Sequence, residues 1–197
     1  MGLIYLIAGT PGVGKTTVAS EVAKRLSLRH VELARLVREE GLTLGYDEER
    51  LSYIVDVDAA RRRVRELAAK EDLVVDTHVV EAVPPDLVKV CVVLRLDPRV
   101  LEERLRRRGY PEGKVLENVQ CEILDSVLID TVNVLGEERV FEVDCTGKSV
   151  EEVVEQVIKA FKEGKGLRPG SISWIERLGD EAFKLLSRQP PLSQQRS

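Results

Sequence analysis

The sequence is poor in cysteine and in aromatic residues, and it has no long apolar run. Its three cysteines, Cys91, Cys121 and Cys145, are far apart and odd in number, so they predict neither a disulfide framework nor a zinc site. Aromatic residues make up only 4% of the chain, which argues against a surface that stacks nucleic-acid bases. The apolar stretch at 3–8 is too short to span a bilayer and lacks the cationic start of a signal peptide. We therefore expect a soluble protein of the cytoplasm, and of the nucleus as well in a eukaryote, with no membrane partner.

Neither sign of charge dominates the chain. It has 30 Lys and Arg residues and 34 Asp and Glu residues. The resulting formal net charge of −4 argues against binding nucleic acid or anionic lipid through a general cationic surface. Hydrophobic residues make up 43% and charged residues 32%, a composition typical of folded globular proteins. A chain of 197 residues is long enough for one domain with a short appendage.

Short apolar runs alternate with segments of helical periodicity along most of the chain. The expected strands are 3–8, 30–33, 73–76, 88–96 and 140–144. The expected helices are 15–26, 34–40, 59–69, 98–108, 115–135 and 150–162, and 41–53 is expected to be a loop. This order predicts an α/β fold with a parallel sheet, helices on both of its faces, and the most apolar strand, 88–96, at its centre.

A different pattern begins at residue 163. Glycine and proline are dense in 164–170, which predicts a linker, and the apolar residues after it predict a short amphipathic helix broken at Gly179. Those apolar residues are Ile172, Ile175, Leu178, Phe183 and Leu186. They favour a helix docked on the core, with binding of a partner or a second subunit as the alternative. Residues from Gln189 onward are expected to be a disordered tail.

The strongest motif is a phosphate-binding loop. Residues 9–16, Gly-Thr-Pro-Gly-Val-Gly-Lys-Thr, match GxxxxGK[ST] between an expected strand and an expected helix. Glycines let backbone N–H groups turn toward phosphate oxygens, and the start of the helix adds its partial positive charge. We expect Lys15 to bridge the β- and γ-phosphates and Thr16 to ligate Mg²⁺. The motif indicates a nucleoside triphosphate with magnesium, and it leaves the fate of the γ-phosphate open.

Two polar residues stand at the end of the strand expected at 73–76. Asp76 occupies the place where P-loop proteins hold Mg²⁺ directly or through water; the alternative is a carboxylate that caps a helix or turn. His78 stands where an imidazole can orient or deprotonate an attacking water or hydroxyl; the alternative is a hydrogen-bonded structural histidine. His30 has no such context, and we interpret it as structural.

Arginines supply the remaining candidates. Arg104 and Arg108 are four residues apart on an expected helix and share a face. A segment that carries both can close over a triphosphate and neutralise developing charge; the alternative is a solvated helix face paired with Glu102 and Glu103. Arg38 lies in the helix after the second strand, where small P-loop kinases bind their acceptor.

Several segments match one known family in the same order along the chain. They are 9–17, 36–40, 45–49, Asp56 with Asp58, 75–78, 104–110 and 118–123. The combination resembles the atypical adenylate kinase family, of the adenylate kinase isoenzyme six (coilin-interacting nuclear ATPase protein) type, a small-subunit ribosome-assembly ATPase. The resemblance covers about residues 1–162, and the segment 163–197 lies outside it and is expected to be surplus to catalysis.

The resemblance implies a P-loop NTPase fold of the nucleoside monophosphate kinase type with a five-stranded parallel sheet. It places an acceptor-binding region at about 33–58 and a lid at about 104–118. It implies two Mg²⁺-dependent activities, adenylate kinase (ATP + AMP = 2 ADP) and ATP hydrolysis. It also implies maturation of the small ribosomal subunit through ribosomal protein uS11, with pre-ribosomal RNA as a further partner. The alternative is a purely metabolic nucleoside monophosphate kinase.

Site residues follow from the resemblance by position. The residues implied to hold the ATP phosphates and Mg²⁺ are Gly12, Val13, Gly14, Lys15, Thr16 and Thr17, with Thr16 and Asp76 as metal ligands. Asp76 and His78 would form the Walker B element, Arg104 and Arg108 would be lid arginines, and Arg38 would contact AMP. The loop 145–148, which includes Lys148, would lie against adenine.

The chain departs from ordinary adenylate kinases at the end of the third strand. Those enzymes have an Asp-Gly-aromatic-Pro-Arg run, whereas this chain has Asp-Thr-His-Val-Val at 76–80. Because the arginine of that run is missing, the sequence favours hydrolysis, with His78 near the water, over efficient phosphorylation of AMP.

Overall fold

The fold is built around a parallel sheet whose middle strand leads into the phosphate-binding loop. A computed structural model of the chain describes residues 2–48 and 52–189. The strands are β1 (Ile4–Ala8), β2 (Arg29–Glu32), β3 (Thr43–Asp47), β4 (Ser52–Val55), β5 (Leu73–Thr77), β6 (Val88–Arg95) and β7 (Val140–Asp144). The helices are α1 (Lys15–Leu26), α2 (Leu33–Glu39), α3 (Val57–Ala68), α4 (Pro98–Arg107), α5 (Glu112–Ile123), α6 (Ser126–Leu135), α7 (Val150–Glu163), α8 (Trp174–Leu178) and α9 (Asp180–Leu186).

The main sheet of the described residues has five parallel strands in the order β2, β5, β1, β6, β7. The carboxyl ends of parallel strands meet at one edge, where α/β proteins bind ligands. The register sets Ile7 of β1 opposite Asp76 of β5, so the loop after β1 leaves beside that carboxylate. The predicted α/β fold with a parallel sheet is confirmed. Strand β6 was expected at the centre of the sheet. It is an interior strand, but the central strand is β1.

Helices cover both faces of the sheet. One face packs against α1, α4, α5 and α7 around Ile7, Val92 and Leu94. The opposite face packs against α2, α3 and α6 around Leu6 and Val93. Because every central strand is buried on both faces, these strands read as continuous apolar runs rather than as alternating patterns.

Two local expectations are wrong. Residues 41–53, expected to be a loop, contain strand β3 and the start of strand β4, which pair antiparallel. Leu44, Tyr46 and Tyr53 are exposed there, so no buried face marks the hairpin in the sequence. The single helix expected at 115–135 is two helices, α5 and α6, separated at Asp125, which has a positive φ of 56°. Aspartate visits this left-handed region more readily than most residues, and no glycine or proline announces the break.

The predicted helix starts are confirmed at two positions. The Asp97 carboxylate accepts a hydrogen bond from the Arg99 backbone N–H, with Pro98 at the first position of α4. Ser149 and Glu152 form a reciprocal capping box at the start of α7.

The segment that follows α7 folds back onto the core. Leu167 O accepts a hydrogen bond from the Glu142 backbone N–H of β7, and α8 and α9 are separated at Gly179, as expected. Docking is confirmed, but the buried residues are Ile172, Trp174, Ala182 and Leu185, whereas Ile175 and Phe183 are exposed. Of the expected disordered tail, 190–197 lies outside the described residues. No helix in the described ranges is long and apolar enough to cross a membrane.

Candidate nucleotide-binding site

The loop between β1 and α1 has the backbone shape that holds phosphate. Gly9 has a φ of 143°, and a Cβ added there would lie 2.6 Å from the Leu94 carbonyl oxygen of β6. Gly12 has a φ of 98°, and a Cβ there would meet the Leu101 and Leu105 side chains of α4. Both positions therefore require glycine. The loop ends at Gly14, directly before the first N–H groups of α1.

Lys15 lies folded over this loop. Its Nζ donates a hydrogen bond of 3.1 Å to the Thr10 carbonyl oxygen, and the side chain is buried. Burial lowers the pKa of Lys15 from 10.5 to about 8, although the carboxylates of Asp76 and Glu122 act in the opposite direction. The ammonium is therefore charged at neutral pH although burial disfavours the charged form, and phosphate oxygens of an incoming triphosphate would stabilise that charge.

Asp76 joins the phosphate-binding loop to two strands. It ends β5 with 3% of its surface exposed, and its Oδ2 accepts a hydrogen bond of 2.8 Å from the Thr16 hydroxyl. Its Oδ1 lies 2.9 Å from His30 Nε2. His30, which the sequence led us to interpret as structural, therefore contacts the candidate site. The contact arises because His30 lies on β2, the strand that pairs with β5. The sequence does not reveal the order of the strands, so it could not predict this contact.

The donor set fits Mg²⁺. Thr16 and Asp76 offer a hydroxyl and a carboxylate oxygen already in contact, and Mg²⁺ is commonly held by one or two such groups together with substrate phosphates. Within residues 2–48 and 52–189 no group of three or more His, Cys, Asp or Glu side chains forms a metal cage.

His78 lies just beyond the end of β5, and its side chain keeps exposed surface. Desolvation by surrounding protein atoms, together with the charges of Lys15 and Lys114, lowers the pKa of His78 to about 4. The lowered pKa leaves the imidazole neutral at pH 7. A neutral imidazole can accept a proton from water or orient it.

The two candidate lid arginines occupy different environments. Arg104 Nη1 donates hydrogen bonds to the carbonyl oxygens of Gly12 (3.3 Å) and Val13 (3.1 Å), so it holds the back of the phosphate loop. Arg108 is exposed at the end of α4, beside Gly109. The structure brings Arg104 to the loop and leaves Arg108 at the surface.

The remaining predicted residues lie at the rim. Thr17 is exposed in the first turn of α1. Lys148 is exposed in the loop after β7, and its Nζ donates to the Asp144 carbonyl oxygen at 2.7 Å. This loop is joined to the end of β6 because the Thr146 hydroxyl accepts the Asp97 N–H at 2.9 Å.

A cavity of about 430 Å³ opens beside the Thr16–Asp76 contact. Its lining includes Thr16, Arg29, His30, Arg35 and Glu39, and its volume is within the range of small-ligand sites. Arg38 is exposed on the same helix, α2, and is not part of this lining. The cavity is the candidate acceptor site, and the role of Arg38 stays a prediction.

Glu122 is the buried residue that sequence reasoning gave no role. Its Oε2 accepts a hydrogen bond of 2.5 Å from the Thr10 hydroxyl of the phosphate loop, although the two residues are 112 positions apart. Both are almost completely buried. Glu122 belongs to the segment 118–123 that carries part of the family resemblance, and this was its only signal.

Comparisons with known proteins agree with this geometry. A family model described as "AAA domain" matches residues 6–125. A protein named "Putative adenylate kinase" from Thermococcus onnurineus (strain NA1) is 39% identical over 174 residues, which cover 88% of this chain and 92% of the relative. A protein of the same name from Methanocaldococcus jannaschii is 37% identical, over 88% of this chain and 94% of the relative. The chain belongs to this adenylate kinase family.

A solved structure has the same fold as this chain. Thymidylate kinase from Candida albicans superimposes with a TM-score of 0.56 at 16% identity, covering 83% of this chain and 92% of that chain.

The alignment with the adenylate kinase relatives also includes part of the C-terminal segment. An alignment over 88% of the chain spans about 173 of 197 residues, so it extends beyond residue 162. The segment after α7 is thus partly shared with family members, although the resemblance stated from the sequence ended at 162.

Proposed function

We propose that the protein transfers the γ-phosphoryl group of MgATP to AMP, giving two ADP. The observation that carries this proposal is the placement of Asp76 between two compartments. On one side it accepts the hydroxyl of Thr16 at the phosphate loop, and on the other it contacts His30 in the wall of the 430 Å³ cavity. A donor nucleotide on the loop and an acceptor in the cavity would therefore meet at Asp76.

The reacting groups follow from this arrangement. An oxygen of the AMP phosphate attacks the γ-phosphorus of ATP, and the bond to the β–γ bridging oxygen breaks to release ADP. Lys15 would leave the Thr10 carbonyl and neutralise charge on the β- and γ-phosphates. Thr16 and Asp76 would hold Mg²⁺, which would supply further positive charge beside the same phosphates. Arg108, exposed at the end of α4, would close onto the triphosphate.

The acceptor is proposed to bind in region 33–58 and the adjoining cavity. Arg29 and Arg35 line the cavity. Arg38 follows Arg35 by three residues on α2, about one helical turn later. Arginine suits this task because its planar guanidinium pairs with two phosphate oxygens at once. We propose Arg38 as the contact to the AMP phosphate, and the lid as 104–118.

Hydrolysis of ATP is the second candidate, favoured by the residues after Asp76. The chain has Thr-His-Val at 77–79, without an arginine, and His78 is neutral and reaches solvent at the end of β5. Water attacks the γ-phosphorus, the proton passes to His78, and ADP and phosphate leave. A role in small-subunit maturation through uS11 or pre-ribosomal RNA is proposed on the family resemblance alone.

One assay separates these functions. ADP formation from ATP is measured with and without AMP, and then with and without purified uS11. Turnover that needs AMP and ignores uS11 supports the metabolic kinase and counts against the ribosomal role. Turnover without AMP that uS11 changes supports the ATPase. No ADP under any condition contradicts both. Lys15→Ala is the control, because it removes the phosphate-binding cation and abolishes either reaction.

A further inference from the structure

A buried ionic cluster lies beneath the phosphate loop. Arg95, at the end of β6, is 1% exposed and donates from Nε to Glu122 Oε1 at 2.9 Å and from Nη1 to Glu142 Oε2 at 2.6 Å. The Asp125 carboxylate also accepts from this guanidinium. Two of the three carboxylates, those of Glu122 and Glu142, are buried with this cation, and Asp125 is partly exposed. Such a cluster persists only when hydrogen bonds satisfy the remaining oxygen lone pairs.

Glu122 receives those hydrogen bonds from three separate parts of the chain. Its Oε1 accepts from Arg95, from the Leu96 N–H at 3.1 Å and from the Trp174 indole Nε1–H at 2.9 Å. Its Oε2 accepts from the Thr10 hydroxyl at 2.5 Å. One carboxylate thus connects the sheet, the C-terminal segment and the phosphate loop.

The C-terminal segment is anchored at two places, of which the first is the ionic cluster itself. Glu142 Oε1 accepts from the backbone N–H groups of Ser171 at 2.9 Å and Ile172 at 3.4 Å. At the far end, Gln120 Nε2 donates to the carbonyl oxygens of Leu186 and Arg188, each at 3.1 Å. Trp174, between these anchors, is 2% exposed and is fixed in place by the packing around it.

We propose that Trp174 is a positioning residue of the nucleotide site, acting through Glu122 on Thr10. The indole N–H fixes the rotamer of Glu122, and Glu122 then fixes the Thr10 hydroxyl. Thr10 also accepts the Lys15 ammonium through its carbonyl oxygen, so the same residue sets the starting position of the phosphate-binding cation. The segment after α7 is accordingly a part of the ATP site and not an appendage to it. The inference rests on the ATP-binding half of the proposed function.

The alternative is that Trp174 only fills space in the core. Trp174→Phe distinguishes the two, because it keeps an aromatic ring and removes the N–H that Glu122 accepts. The matched control is Phe161→Leu, which changes another buried aromatic residue. Phe161 packs on Tyr5 and is not bonded to Glu122. Both variants lose core packing, and only the first disturbs the link to Thr10.

The experiment is a double-mutant cycle on MgATP affinity, measured by calorimetry without AMP. We expect Trp174→Phe to weaken binding by roughly tenfold, as loss of a hydrogen bond to a buried charge implies. Thr10→Val should weaken MgATP binding by a similar factor. The double variant should bind MgATP no more weakly than whichever single variant binds it less tightly. Phe161→Leu should stay within about twofold of wild type at an equal or larger loss of stability. Additive effects, or equal effects of Trp174→Phe and Phe161→Leu, would overturn the proposal.

A second readout uses the fact that Trp174 is the only tryptophan of the chain. We expect MgATP to change its fluorescence in the wild type, and Thr10→Val to remove most of that change. This readout tests the proposal even if Trp174→Phe does not fold; a fluorescence change in Thr10→Val equal to that of the wild type would overturn the proposal.

Wild-type protein that binds MgATP without forming ADP would contradict the proposed phosphoryl transfer alone, whereas wild-type protein that does not bind MgATP would overturn both proposals.

Discussion

His30 Nε2 lies 2.9 Å from Asp76 Oδ1 and so joins the edge strand β2 to the carboxylate at the end of β5. A carboxylate oxygen only accepts, so Nε2 carries the hydrogen. With the Thr16 hydroxyl on Oδ2, both oxygens of Asp76 are held by donors. Asp76 is therefore fixed in orientation before any cation or nucleotide binds.

The first prediction concerns this orientation. His30→Ala frees one oxygen of Asp76, and we expect the Mg²⁺ concentration for half-maximal ATP turnover to rise by roughly tenfold, as for other residues that orient a metal ligand. Titration of turnover with Mg²⁺ at saturating ATP measures it. The control is His78→Ala, the other histidine of the chain, which should leave the Mg²⁺ requirement unchanged. A His30→Ala variant with the wild-type requirement would contradict a role for His30.

The second prediction concerns Lys15 in the nucleotide-free protein. Its pKa is lowered to about 8 by burial, so the folded chain holds its charge at a cost. Lys15→Met should raise the free energy of unfolding at pH 7 by about 3 kcal/mol, since the pKa shift from 10.5 to about 8 corresponds to about 1.4 kcal/mol per unit, and it should abolish turnover. Urea unfolding of both proteins measures the difference.

The pH dependence of that difference gives the control for Lys15. Between pH 8 and 10.5 the unfolded chain still holds the proton that the folded chain has released, so rising pH stabilises the wild type. The advantage of Lys15→Met should therefore be full below pH 8 and shrink toward pH 10.5. A difference independent of pH, or a less stable Lys15→Met protein, would count against a buried charged lysine.

The third prediction concerns His78. His78→Ala should lower ATP hydrolysis measured without AMP by about 100-fold, the usual contribution of a general base, and leave MgATP affinity near wild type. Because its pKa is lowered to about 4, the imidazole stays neutral down to about pH 5, so hydrolysis should show no loss near pH 6.5 from this group. Equal losses of rate and affinity in His78→Ala would exclude a role in the chemistry.

The same shift of His78 affects stability. The unfolded chain binds the imidazole proton between pH 6.5 and about 4 and the folded chain does not, so this group stabilises the fold as pH rises across that window. His78→Asn should flatten that part of the stability curve, which acid titration of the unfolding midpoint would reveal.

The fourth prediction separates the two arginines of α4. Arg104 already donates to the carbonyl oxygens of Gly12 and Val13, so Arg104→Ala should raise the KM for ATP by roughly tenfold through loss of loop support. The Arg108 guanidinium makes no hydrogen bond or ion pair with the described residues, and Arg108→Ala should lower kcat with little change in KM. Steady-state kinetics of both variants test this. The reverse pattern would mean that Arg104, and not Arg108, closes on the triphosphate.

Much of the architecture was readable from local pattern. The apolar runs of β1, β5, β6 and β7 and the caps at Asp97 and Ser149 are set by residues close in sequence. The hairpin β3–β4 and the break at Asp125 were not readable. An exposed hairpin has no buried face to impose periodicity, and a left-handed aspartate between two apolar helices leaves the pattern continuous.

By itself, the sequence determined the phosphate loop, the carboxylate of Asp76 and the parallel α/β sheet, because each depends on residue type at short spacing. Only the tertiary structure decided that His30 reaches Asp76 and that Trp174 reaches the loop through Glu122. These contacts join positions 46 to 112 residues apart, and they depend on strand order and on which helix face packs inward. Burial then sets their strength, since a carboxylate removed from water must find every donor it needs within the fold.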